Sequence, residues 1–315
     1  IDSLPPECRT ARLLTRATPP AKHNPRASGP RCTIAGATLH GLDNITVDLP
    51  TRNLVAVTGV SGSGKTSLVF GVLAASLRER RPVGCAHLDG FERFARVIDV
   101  DPAVRSVSRL ATVASTVGVL DVLRKQFATT EAAQGAGLKA AAFGYASKAG
   151  QCPHCKGKGV VASDIDFLGR SWSPCEECDA TRYRTEILTV HWRERSIVDW
   201  LALPIEQALE RLDDLPPARR ALRMLADTGL GYVRLGQSTD TLSGGEAQRL
   251  FLTAERLAKS TATAGNATAA SATLYLFDEP TRGLHPDDVE RLLGVFDALV
   301  DAGDTVLVVE HDREM

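Results

Sequence analysis

The chain has 315 residues, 43% of them hydrophobic and 24% charged, with a formal net charge of −1. That is the balance of an ordinary globular protein with room for one large domain or two to three smaller ones. No run of about 18 apolar residues occurs, which argues against a membrane span; a cytoplasmic setting with no membrane partner is the expectation. The near-zero charge gives no global basic signal, so any contact with nucleic acid must rest on local patches.

Residues 1 to about 31 are rich in Pro, Arg and Thr without apolar periodicity and read as a linker or lead-in. The opening Ile1-Asp2-Ser3-Leu4-Pro5-Pro6 has no initiator Met and no signal-peptide pattern, and Met315 closes the chain inside a motif. A piece of a longer protein is the expectation. From Cys32 the pattern tightens. Residues 45–49 alternate like a half-buried strand, and residues 54–58 form a continuous apolar run suited to a buried one.

That second strand feeds into Gly59-Val60-Ser61-Gly62-Ser63-Gly64-Lys65-Thr66, a match to G-x-x-x-x-G-K-[ST], followed by the helix-like residues 67–73. Backbone N–H groups from Gly59 through Ser61, Gly62, Ser63 and Gly64 to Ser67 wrap phosphates in such a loop. Lys65 neutralises the β/γ oxygens and Thr66 ligates Mg²⁺. Residues 96–100 then read as a strand and 119–124 as a helix. Residues 131–150 are Ala/Gly-rich with Lys139, Lys148 and Phe143-Gly144-Tyr145. They fit either nucleic-acid contact or a small hydrophobic anchor.

Seven cysteines include two Cys-x-x-Cys pairs, Cys152/Cys155 and Cys175/Cys178, separated by 19 residues. Without a secretory pattern, a structural Cys₄ zinc site outranks a disulfide framework or a redox dithiol. Four thiolates complete the shell, so His154 is not a ligand and the metal holds shape without doing chemistry. Lys156 and Lys158 beside the first pair are either a solvated face or phosphate contacts. Residues 187–190 read as a strand, and 197–201, 208–212 and 220–227 as helices, the last stopping at Gly229.

Thr241-Leu242-Ser243-Gly244-Gly245-Glu246-Ala247-Gln248-Arg249-Leu250 reads as a helix start with an anion site at Ser243, Gly244, Gly245 and Glu246. Residues 259–273 look like a flexible surface loop. Residues 273–277 form an apolar strand ending in Asp278-Glu279-Pro280. Asp278 is placed to hold Mg²⁺, and Glu279 to orient or deprotonate the attacking water. An amphipathic helix over 289–296 and a strand over 305–309 follow, and His311 at that strand's end is placed to sense a γ-phosphate.

The ten residues 241–250 resemble the signature of ABC-type ATPases. With the P-loop, the cysteine pairs, Asp278-Glu279-Pro280-Thr281, Gly283-Leu284-His285 and Val309-Glu310-His311-Asp312, the chain resembles the UvrA family from about Thr33 to Met315. The distinctive part is the zinc insertion, which sets Lys65 and Ser243 178 positions apart. The resemblance implies an α/β ABC-type P-loop ATPase core with an inserted helical signature region and a Cys₄ zinc module. The expected divisions are 32–130 and 241–315 for the ATP-binding core, 131–190 for the zinc module and 191–240 for the helical region.

It further implies ATP, Mg²⁺ and Zn²⁺ as cofactors, damaged duplex DNA as ligand, and a second ATPase half, a homodimer partner and a UvrB-like helicase as partners. The implied activity is ATP-dependent damage recognition in excision repair. The alternative is a UvrA-like drug-resistance protein with weak turnover. Lys65, Glu279 and His311 take catalytic roles, while Ser243, Gly244 and Gly245 face a nucleotide held by another half. The chain departs from the family's pattern at Val100, where relatives carry Gln nearby, and at Gln151 in place of Arg. It departs again at Asp179-Ala180, which lacks a glycine, and at Arg282 in place of Thr.

Overall fold

The computed structural model describes residues 29–100, 109–165, 169–263, 272–282, 284 and 286–310. It divides into one unit of Ile1–Val100 with Ala269–Met315 and a second of Asp101–Thr268. Residues 1–28 of the lead-in, the glycine-histidine pair Gly283 and His285, and His311 lie outside the described residues.

The first unit opens with β1 (Arg31–Ala37) and β2 (Ile45–Pro50), an antiparallel pair, and β3 (Leu54–Thr58), which delivers the glycine-rich loop. The helix after the loop runs as a π-helix over Ser67–Ala74 and continues as α1 (Ala75–Glu79). Such a widened turn is a feature often found at functional sites. Then come β4 (His87–Asp89), which completes a three-stranded sheet in the order β2-β1-β4, and β5 (Phe94–Val100).

The second unit is mainly helical: α2 (Val113–Thr116), α3 (Val119–Ala128) and α4 (Glu131–Gly135) precede the first cysteine pair. Between the pairs, β6 (Val160–Ile165) and β7 (Gly169–Pro174) form an antiparallel hairpin. There follow α5 (Thr185–Leu188), α6 (Ile197–Ala202), α7 (Ile205–Arg211), α8 (Pro216–Asp227) and α9 (Gly244–Thr263). Their core holds Leu123, Phe127, Phe143, Tyr145, Tyr183 and Trp200, all nearly inaccessible. Phe127 meets Phe143 at 5.2 Å between ring centroids, and Tyr145 meets Tyr183 edge-on at 5.8 Å. Phe143 and Tyr145 are therefore a hydrophobic anchor, not a stacking platform, because rings buried this deeply cannot receive a base.

The chain returns to the first unit with β8 (Ala272–Asp278), α10 (Pro286–Asp301) and β9 (Thr305–Glu310). The parallel sheet has the order β3-β9-β8-β5. Its middle strands are buried on both faces, as continuous apolar runs in parallel sheets demand. Leu274, Leu276, Leu307 and Val309 share a core with Val69, Val72 and Leu73. On the other face the Phe277 ring packs tilted against Phe296 of α10, with centroids 4.7 Å apart.

Three expectations need correction. Residues 187–190 do not form a strand. A single helical turn, α5, covers 185–188, and buried Ile187 and Val190 satisfy a three-residue spacing that a short apolar run cannot distinguish from alternation. The run over 54–58 is a strand, but Ala56 and Thr58 are exposed because β3 lies at an edge of the sheet order. Residues 259–263, read as loop, extend α9, and 272–273 already belong to β8, while 264–271 lie outside the described residues. The high helix propensity of alanine, at Ala254, Ala258 and Ala262, can continue a helix begun by an apolar stripe. Among the described residues no helix is long and apolar enough to cross a membrane.

Candidate functional site

The loop leaving β3 is exposed from Gly59 to Ser63, whereas Lys65 at its base is 6% exposed. Lys65 Nζ donates to the carbonyls of Gly59 at 2.9 Å and Val60 at 2.8 Å. The cation is thus held in the mouth of the loop by the loop's own backbone. Gly64 has φ +87°, and a Cβ there would come within 2.6 Å of Leu42 Cδ2, so the turn into the helix demands glycine. The Gly64 carbonyl takes the N–H of Leu68 at 2.8 Å, which joins loop and helix as one piece.

The acidic strand end lies on the same sheet. β3 and β8 both pair with β9 in parallel, with Thr58 opposite Glu310 and Asp278 opposite Val309. The glycine loop and Asp278 therefore leave the carboxyl ends of strands separated by a single strand, the edge at which open α/β sheets bind ligands. Glu279 adopts φ +43° and donates its N–H to the Val309 carbonyl at 2.9 Å. A non-glycine residue held there by a cross-strand hydrogen bond is local strain of the kind that clusters at functional sites. Its Oε2 accepts from Arg282 Nη1 at 3.1 Å.

Glu310, read from the sequence only as a strand end, fastens this turn. It is 2% exposed, and its Oε1 accepts the Thr281 N–H at 3.0 Å and the Thr281 hydroxyl at 2.6 Å. A carboxylate closing the apolar run 306–309 was the available signal.

In the second unit the signature begins α9. Ser243 N–H donates to Glu246 Oε2 at 2.7 Å and Glu246 N–H points back to Ser243 Oγ at 3.4 Å, a reciprocal cap. Tyr232 Oη donates to the other oxygen, Oε1, at 2.5 Å. Burial acts to raise the Glu246 carboxyl, but the hydrogen bonds from Tyr232 and Ser243 outweigh it and hold the group below its ordinary value of 4.5. Ser243 and Gly244 are exposed and Gly245 half-buried. Tyr232 belongs to no motif read from the sequence; its contact with Glu246 crosses a turn that no periodicity reveals.

Cys152, Cys155, Cys175 and Cys178 place their sulfurs within 4.8 Å of one another, all buried. Cys152 Sγ lies 4.0 Å from Cys175 Sγ, and Cys155 Sγ 3.7 Å from Cys178 Sγ. Sulfurs on a tetrahedral zinc with bonds of about 2.3 Å stand about 3.8 Å apart, so the cluster is compatible with zinc. Burial pushes the Cys178 thiol up to about 12 and raises Cys155, whereas at Cys152 burial is outweighed by hydrogen bonds from the backbone and the neighbouring cysteines, which hold the thiol below its ordinary value. The turn that follows Cys155 is tightly constrained: Gly157 has φ +77°, and a Cβ would meet the Tyr145 carbonyl oxygen at 1.8 Å. His154 is exposed and outside the cluster, as are Lys156 and Lys158.

No family model matches the chain. It is 40% identical over 303 residues to the UvrABC system protein A of Thermus thermophilus, covering 94% of this chain and 31% of that protein. Against the UvrABC system protein A of Clostridium acetobutylicum it is 38% identical over 288 residues, covering 90% and 30%. The solved structure of UvrA2 from Deinococcus radiodurans matches at a TM-score of 0.86 and 39% identity, over 98% of this chain and 37% of that one. The chain thus spans about a third of the length of the curated relatives it matches.

Proposed function

We infer that this chain, a UvrA-like segment over 94% of its length, is an ATP-binding half of a UvrA-type ATPase that acts on damaged duplex DNA in excision repair. The observation that carries the reading is the shared sheet edge, where the Lys65 loop and the Asp278-Glu279 turn leave strands that both pair with β9. The donor set fits a nucleotide with Mg²⁺: a buried ammonium, an exposed hydroxyl at Thr66 and a carboxylate at Asp278.

Bound there, Mg²⁺ would neutralise phosphate charge and polarise the bond that breaks. Lys65 holds the β/γ oxygens, releasing its hold on the Gly59 and Val60 carbonyls. The N–H groups of Ser61, Gly62, Ser63, Gly64 and Ser67 orient the phosphates, and Glu279 takes the proton from water. His311 senses the γ-phosphate. Ser243, Gly244, Gly245 and Glu246 present a helix start to a nucleotide held by a second ATPase half or a homodimer partner. Zinc in the four thiolates shapes the second unit. Loading of a UvrB-like helicase and a cytoplasmic setting belong to the same reading.

Glu279→Gln tests it. The variant keeps ATP affinity within about twofold and loses hydrolysis by about 10²–10⁴, the range of general-base removal. Turnover equal to that of the wild-type chain removes Glu279 from its role.

A further inference from the structure

We propose that Arg109 is a positioning residue that carries the setting of the zinc hairpin to the signature turn; the proposal rests on the ATPase reading only for its functional meaning. Two contacts of one guanidinium carry it. Its Cζ lies 4.1 Å from the ring centroid of Trp172, on β7 of the hairpin between the cysteine pairs. Its Nη1 lies 3.2 Å from Oδ2 of Asp240, in the short helical turn Thr239–Thr241 that leads into Ser243. A guanidinium can stack by its face and donate from its edge at once, which an ammonium cannot.

The backbone beside Arg109 belongs to the same device. Its carbonyl accepts Ser238 Oγ at 3.2 Å and, from the turn after Cys178, Arg182 Nη1 at 3.2 Å. Two residues on, the Ala111 carbonyl accepts the Thr239 N–H at 3.0 Å, and Val113 N–H donates to Gln237 at 3.1 Å. The stretch from Arg109 to Val113 is therefore a strut with the zinc module on one side and the signature lead-in on the other.

Asp240 makes the strut responsive. Its side chain is 18% exposed, and its Oδ1 is buried with no hydrogen-bond partner among the described residues. A carboxylate so placed depends on Arg109 for compensation and turns toward water when that charge is withdrawn. Displacing the hairpin draws Arg109 with Trp172 or breaks the stack. Either event alters the hold on Asp240, three residues before the serine that caps α9.

Hydrogen exchange of the 238–246 segment in the whole chain tests this without nucleotide. Trp172→Ala and Arg109→Ala should each speed exchange at the Thr239 and Thr241 amides by roughly three- to tenfold, the scale of a lost cation–π contact and ion pair. Zinc content and exchange in α8 serve as controls on folding. In Arg109→Ala the Trp172→Ala change should add nothing. Arg109→Lys keeps charge beside Asp240 but loses the planar stack, so exchange should rise to about the Trp172→Ala level, and Trp172→Ala should add little in that background. Unmoved exchange in Arg109→Ala overturns the proposal, as does a Trp172→Ala effect of equal size in both backgrounds. A chain that binds no ATP but shows the expected exchange pattern leaves the strut standing and removes the ATPase reading instead.

Discussion

Thr281→Val deletes one hydroxyl from the turn that carries Glu279. In the native chain that hydroxyl donates to Glu310 Oε1 at 2.6 Å, beside the Thr281 N–H at 3.0 Å, and Glu310 is 2% exposed. Valine fills nearly the same space, so the change is chemical and not a cavity. A hydrogen bond to a charged group contributes about 1.5–3 kcal/mol, and its loss leaves a buried carboxylate less well solvated. With about 2 kcal/mol lost, a domain of this size melts about 4–8 °C lower. Thermal unfolding of the whole chain reads the shift, and Thr281→Ser, which keeps the hydroxyl, should recover most of it. Turnover should fall as well, because the cross-strand bond from Glu279 to Val309 at 2.9 Å sits at the other end of the same turn. A Thr281→Val chain within about 0.5 kcal/mol of wild type would refute the reasoning, since changes of that size are what featureless surface positions give.

Other predictions follow from single geometries. Ala180 sits at φ +56° beside Asp179 at φ +45°, so Ala180→Gly should stabilise by about 0.5–1 kcal/mol in thermal unfolding; a loss of stability would mean that the left-handed backbone carries no strain. Metal analysis should find about one zinc per chain, absent in Cys175→Ser, and an undiminished count in that variant would remove the four-thiolate assignment. Glu246 has a depressed native value, so its contribution is present above its ordinary value of 4.5 and is lost as pH falls through the lower native value. Tyr232→Phe should therefore be less stable than wild type at neutral pH, with the difference closing in acid; a gap that stays constant down to about pH 3 would contradict the hydrogen bond's part in that shift.

The sites best legible in the sequence are those whose chemistry is local. Gly59 to Thr66 states its own turn, because glycine at positive φ and a lysine at fixed spacing are needed whatever surrounds them. The cysteine pairs likewise declare a common centre, since two-residue spacing lets both sulfurs face one point. What stayed hidden depends on partners far along the chain. Arg109 meets Trp172 and Asp240 across 63 and 131 positions, and no period links them. Glu310 looks like a strand end until Thr281 folds over it. The misreading of 187–190 has a different origin: four apolar-rich residues satisfy strand and helix alike, and tertiary packing of Ile187 decided. Edge exposure of β3 follows from strand order, which its own residues do not encode.

The central claim is that the chain carries two half-sites, a P-loop with its acids and a signature meant for another nucleotide. Complementation tests it most directly. Lys65→Ala and Ser243→Arg chains are each assayed alone and then mixed, with wild-type specific turnover followed against chain concentration. The account predicts specific turnover that rises with concentration, little from either variant alone, and activity restored in the mixture, where the intact P-loop of one chain meets the intact signature of the other. Specific turnover independent of concentration and unchanged in Ser243→Arg would contradict it.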